Sequence, residues 1–188
     1  MNKRSTIGIT FFVCAATLLL GAALGAFAAL LLPTDTPMNE YLTGIGASGA
    51  TFAARFASSL VSMGKFPLLA TLLAFSLLGV VGVPIVLAIR GLLLGFAVTS
   101  LTRYCGATAV LPILGAFATE ALIAVPSLLV CSARMTDASL SLLRRGKPYD
   151  AAFLRTILTC TVVTAVAAAL EAAVSPMLYG VISAHFPT

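Results

Sequence analysis

Residues 66–103 read FPLLATLLAFSLLGVVGVPIVLAIRGLLLGFAVTSLTR, a run of 38 residues in which Arg90 is the single charge before the closing Arg103. A helix rising 1.5 Å per residue crosses about 30 Å of hydrocarbon in about 20 residues. The run is too long for one crossing and long enough for two. Gly82-Val83-Pro84 lies near its middle, and proline lacks a backbone donor and disfavours helix in the residue before it. In lipid the polar groups so released need a new partner, which a reversal at a membrane face supplies. The run is therefore expected to form a helical hairpin, with one span over 66–81 and a second over 84–103.

The rest of the chain agrees with a membrane solvent. Its 188 residues are 60% hydrophobic and 9% charged, where a soluble domain carries about 25% charged residues. The fold class expected is an all-α, polytopic integral membrane helix bundle. The net charge of +5 is carried by residues beside apolar runs, the pattern that orients spans in a bilayer. It points to lipid as the surrounding partner and not to nucleic acid.

In chain order, MNKRS leads into an apolar stretch at 7–32. That stretch is longer than a signal-peptide core of about 7–15 residues, so it is read as an uncleaved first span starting in the cytoplasm. Residues 33–65 form the expected outer loop: a turn-rich part with Asp35 and Glu40, then a segment with Phe52, Phe56, Leu60 and Met63 one helical turn apart. The second part reads as a helix in the interface or as an extension of the next span. A further span is expected over 107–133, a basic loop over 134–150 with Arg134, Arg144, Arg145 and Lys147, and a last span over 151–179.

Charge decides the crossing number. If 66–103 crosses twice, a cytoplasmic N-terminus places the basic 134–150 loop in the cytoplasm as well, in line with the positive-inside bias. Five spans with the C-terminus outside satisfy both basic segments, leaving Arg55, Lys65 and Arg103 dispersed on the outer side. The localisation implied is multi-pass in the plasma membrane.

Three ionisable residues fall within expected spans: Arg90, Glu120 and Glu171. Intramembrane charge is costly and normally faces the bundle interior or snorkels to an interface. Arg90, six residues into its span, is within snorkelling reach of the cytoplasmic face. Glu120, near mid-membrane, is neutral or paired, and Arg90 is the expected partner. Glu171 is placed towards the outer face, apart from that pair. Gly21, Gly25 and Ala29, and separately Gly91 and Gly95, stand at four-residue spacing, which allows close helix packing in lipid.

No catalytic residue is assigned. The chain holds no HExxH, GxSxG or P-loop pattern, and its one histidine, His185, lies in the terminal tail. Cys14, Cys105, Cys131 and Cys160 show no CxxC or Cys/His spacing, so no disulfide, metal or cofactor is expected.

The segment LLGVVGVPIVLAIRGLLLGFAVTSL, with Arg90-Gly91 followed by Gly95-Phe96, resembles the core of the stage II sporulation protein M family. The following VLPILGAFATEALIAVPSLLVCSA, with Val125-Pro126, is similar to that family's next helix. The resemblance covers residues 66–179. It implies a non-enzymatic scaffold in the mother-cell engulfing membrane that localises and holds two peptidoglycan-degrading partners, stage II sporulation proteins D and P. In that reading partners meet residues 33–65, 104–106 and 180–188, with the Gly21/Gly25 stripe open to an anchor helix, and a homo-oligomer stays open. The competing expectation is a small transport subunit, such as the substrate-binding membrane component of a vitamin importer. It requires an outward pocket lined by polar groups.

Overall fold

A computed structural model of the chain describes residues 3–31, 51–76, 78–105, 120–143 and 151–185. All described elements are helical: α1 (Lys3–Leu31), α2 (Phe52–Ala74), α3 (Gly79–Cys105), a π-helical turn (Glu120–Ala124) leading into α4 (Val125–Leu143), and α5 (Ala151–His185). Five stretches are long and apolar enough to cross a membrane: Gly8–Leu31, Phe52–Ala74, Gly79–Ser100, Ala121–Leu143 and Phe153–Val174. Helices are what such sequences must form in lipid, because each backbone donor and acceptor has to be satisfied within its own segment.

The local chemistry sets where these helices start and stop. Thr51 caps α2, its hydroxyl accepting from the Ala54 N–H at 3.4 Å, as threonine does at an N-cap. The hairpin reversal lies between Ala74 and Gly79, not at Gly82-Val83-Pro84 as the sequence suggested. There the Ser76 hydroxyl accepts from the Leu78 N–H at 3.2 Å, and the Ser76 carbonyl accepts from the Gly79 N–H at 3.0 Å. A Cβ on Gly79 would strike the Leu73 carbonyl and the Ser139 hydroxyl, so the tight passage needs glycine. Pro84 is then the sixth residue of α3 and Pro67 lies within α2. Each withholds one backbone donor without ending its helix.

Two other expected boundaries move. Of the two readings of the second part of 33–65, an interfacial helix or an extension of the next span, the structure shows the extension: α2 runs unbroken from Phe52 into the apolar run, and residues 32–50 lie outside the described part. Helix α4 also continues through Arg134 and Asp137 to Leu143, well into the 134–150 segment expected to be a loop. It continues because its inward face is made of small residues, among them Ser132, Thr136 and Ser139. Thr136 donates to the Ser132 carbonyl at 2.9 Å and Ser139 to the Ala74 carbonyl of α2 at 3.2 Å, so hydroxyls are buried without breaking the helix.

The contacts fix relative directions. Along α1 and α3, Gly21 meets Ala88 and Gly25 meets Leu92, while Gly91 meets Leu18 and Gly95 meets Ala22. Positions rise together on both helices, so the two run parallel. Thr71 and Ala74 of α2 meet Met135 and Ser139 of α4, which makes α2 and α4 parallel too. Phe153 at the start of α5 packs edge-on against Phe75 at the end of α2, centroids 6.3 Å apart. The start of α1, the α2–α3 reversal and the α4–α5 connection therefore share one end of the bundle. The five helices alternate up and down.

The α1–α3 seam is a close backbone-to-backbone approach. A Cβ placed on any of Gly21, Gly25, Gly91 or Gly95 would drive into a carbonyl oxygen of the facing helix. The two small-residue stripes read separately in the sequence face each other, and small residues of this kind let backbones approach in lipid. Arg103, in the last turn of α3, donates to the Ala29 carbonyl near the end of α1. It satisfies one of the carbonyls that a helix end leaves without an internal partner. On the other side α4 runs through the interior, with Leu128 and Ala133 packed beside Cys14, Leu18, Phe66, Val86 and Leu87, and Cys131, Met135 and Ala138 beside Ala70, Ala74, Val83, Phe153 and Cys160.

Replacing Gly21 or Gly95 by alanine is expected to cost about 1–3 kcal/mol as overpacking, read as a lower melting temperature in detergent. Gly8→Ala and Gly64→Ala, where an added Cβ meets nothing within 4 Å, should leave it unchanged. Topology has its own test. Cysteines at Ser76 and Ala151 are expected to label from one side of the membrane with an impermeant maleimide, and a cysteine at Thr51 from the other.

Candidate functional site: the buried charged centre

Arg90 is the twelfth residue of α3. Eleven steps at 1.5 Å place it about 16 Å along the helix, at the middle of the Gly79–Ser100 span. The expectation that it lies six residues in and snorkels rested on a helix start at residue 84. With the start at Gly79, the interface is out of easy reach and the cation is held within the bundle. Its guanidinium carbon sits 4.6 Å from the centroid of the Phe66 ring on α2, and Phe66 is itself buried. A cation over an aromatic face gains most where water is excluded, about 2 kcal/mol or more.

Among the described side chains, an acid in this neighbourhood is Glu171. Its carboxylate hydrogen-bonds the Ser59 hydroxyl on α2 and lies within the field of Arg90, while its Oε2 atom is buried with no hydrogen-bond partner. Glu171 is the nineteenth of the 22 residues of the Phe153–Val174 span, towards the end away from the start of α5, in line with the sequence reading that set it towards the outer face. The correction concerns its separation from Arg90, whose field reaches it. Helix α2 begins at Phe52, so Ser59 is a helical residue facing α5 and not part of a loop. Glu120, the partner expected for Arg90, opens the π-helical turn; its side chain lies outside the described residues.

Around Arg90 the bundle is nearly closed. A void with room for about one water molecule is lined by Arg90, Met63, Pro67, Ala124, Val125 and Thr164 among others. Two of these linings come from departures in helix geometry. Pro67 has no N–H for the Met63 carbonyl four residues earlier, and the π-helical turn ends at Ala124, just before Val125-Pro126. Such turns accommodate an irregularity within a helix and are frequent at functional sites. Ala167 and Ala168 pack with Met63 below the charges, small enough to bring α5 against α2.

The remaining residues singled out from sequence are placed as follows. Gly91 and Gly95 belong to the α1–α3 seam; Phe96, in the same helix, is half-buried, and Pro126 is exposed in the first turn of α4, where proline is tolerated. Sequence reasoning missed Ser59 and Phe66 as the groups that receive Glu171 and Arg90. Phe66 read only as the opening of the apolar run, and Ser59 as the polar face of a surface helix. It also missed that Cys131 and Cys160, 29 positions apart in the chain, belong to one buried cluster. Among the described residues no group of three or more His, Cys, Asp or Glu side chains is assembled.

If Arg90 and Glu171 offset each other, Arg90→Met and Glu171→Gln are each expected to lower the melting temperature. The double variant should lose less than the sum of the two, with a coupling of about 0.5–3 kcal/mol. Phe66→Leu, which keeps apolar volume and removes the ring, should destabilise in the Arg90 background and much less beside Arg90→Met. Strict additivity in either cycle would contradict the placement. Comparison of the chain with protein-family models, with curated proteins and with solved structures returns no match.

Proposed function

We propose that this chain is a non-enzymatic, multi-pass scaffold of the plasma membrane that localises and holds peptidoglycan-degrading partners, stage II sporulation proteins D and P, during septal wall thinning and engulfment. The observation that carries the reading is the use to which the interior polar groups are put. Arg90 lies on Phe66, Glu171 on Ser59, Ser139 on the Ala74 carbonyl, and the void beside Arg90 has the size of one water. Substrate sites are typically about 300–1,000 Å³. The charges thus serve to bind helix to helix, which is what a rigid platform requires. The Arg90-Gly91, Gly95-Phe96 and Val125-Pro126 elements supply the resemblance that names the partners.

Orientation follows from charge. Lys3 and Arg4 open α1 and Arg155 lies in the first turns of α5, at one end of the bundle; in sequence Arg144, Arg145 and Lys147 fall between α4 and α5, and Asp35 and Glu40 between α1 and α2. By the positive-inside bias the N-terminus is cytoplasmic and the C-terminus outside. Partner contact then falls to residues 33–50 and to the outer helix ends. The Gly21/Gly25 stripe, expected as a docking seam for an anchor helix, is covered by α3 and takes no part.

The test is affinity purification in mild detergent from the native host, followed by mass spectrometry. Wall hydrolases with single membrane anchors should co-purify, and deleting residues 36–48 should remove them while membrane insertion stays at wild-type level. Recovery of an ATPase with a second membrane subunit would overturn the scaffold in favour of a transport subunit.

A further inference from the structure

Three sulfur-bearing side chains share one buried cluster inside the bundle. Cys131 and Met135 stand four residues apart on α4, a spacing that puts both side chains on one helix face. Their sulfurs are 3.9 Å apart. Cys160 on α5 lies in the same buried cluster as Cys131 and Met135 and donates to the Ser127 carbonyl at 3.5 Å. All three residues belong to one buried cluster with Ala70, Ala74, Val83, Ala138 and Phe153, none more than 7% exposed. Both cysteines are free thiols. The Thr71 hydroxyl, which donates to the Pro67 carbonyl at 2.7 Å, lies 3.9 Å from the Met135 sulfur.

We propose that Cys131, Met135 and Cys160 form a binding site for a single soft monovalent cation, Cu(I). Thiolate and thioether ligands select Cu(I), whereas carboxylates, carbonyls and water suit the hard divalent ions. The spacing fits the chemistry. Sulfurs bound in a plane at about 2.3 Å from one ion stand about 4 Å from each other, close to the 3.9 Å already present between Cys131 and Met135. Cysteine ligates as the thiolate, so Cu(I) entering bonds to both cysteine sulfurs and the Met135 sulfur while the two S–H bonds break and both protons leave to solvent. No electron moves, and ion and thiolates together carry one negative charge. Selection of Cu(I) therefore rests on the softness of three sulfur donors.

The experiment is a titration of the purified full-length protein with Cu(I) under reducing, anaerobic conditions, in competition with the chromogenic chelator bicinchoninate. One Cu(I) per chain is expected, retained when Cys14 and Cys105 are replaced together by alanine. Cys160→Ser and Cys131→Ser should each abolish binding in this window, and Met135→Leu should weaken it by about tenfold or more, a loss of about 1.4 kcal/mol or more. X-ray absorption at the copper edge of the loaded wild-type protein needs no variant and should show sulfur ligands alone. Absence of uptake by the wild type, equal uptake by a monodisperse Cys131→Ser/Cys160→Ser protein, or nitrogen and oxygen ligands at the copper would each overturn the proposal.

Discussion

The close approach of α1 and α3 is the constraint from which the rest of the bundle follows. Four glycines, two from each helix, let carbonyl oxygens come where a Cβ would otherwise sit. In lipid there is no hydrophobic drive to hold two apolar helices together, because acyl chains are as apolar as leucine. Association must come from packing and from polar contacts, and the seam provides the first. Because α1 and α3 run parallel, α2 must cross back between them in sequence, and the reversal at Ser76–Gly79 brings it alongside α3. Helix α4 then fills the interior that remains, with the serines, threonine and alanines of its inward face admitting neighbours on all sides.

That arrangement gives Arg90 its surroundings. It precedes Gly91 directly, so the helix face that presses on α1 is fixed and the arginine is turned towards α2 and α5. There it meets an aromatic ring and the field of a carboxylate instead of lipid. A cation at mid-span on an isolated helix would be strongly disfavoured. Within the bundle it is held by partners from two other helices, which ties the docking of α5 to the packing of α2 against α3. Structure and charge are coupled here: loosening the glycine seam would also expose Arg90.

Much of this was legible in the chain. The lengths of the apolar runs gave five helices of spanning length, and the doubled run at 66–103 could be divided because no single helix uses 38 residues. The glycine spacings and the intramembrane charges were visible as such. What could not be read was which residue meets which. Proline is the strongest local signal and points to Pro84 as the reversal, yet a proline five residues into a helix costs one hydrogen bond, while Gly79 is required by contacts with Leu73 and Ser139. The polar positions Arg55, Ser58, Ser59 and Ser62 suggested a surface helix, since amphipathicity looks alike whether the polar face meets water or a buried carboxylate. Depth along the chain separates Glu171 from Arg90, yet it does not show that the field of Arg90 reaches Glu171 across helices. The shared cluster of Cys131 and Cys160 has no signature along the chain because it is made between helices.

The central claim is that the interior charges serve the architecture and the architecture presents a surface to partners. It is tested most directly by partner recovery with the Arg90→Met/Glu171→Gln double variant, expressed in the native host at wild-type membrane levels. The account predicts recovery of the wall hydrolases equal to wild type, since a neutral pair of similar volume preserves the docking of α5. A double variant that inserts and folds normally yet recovers no hydrolase would contradict it, and would make Arg90 and Glu171 participants in function themselves.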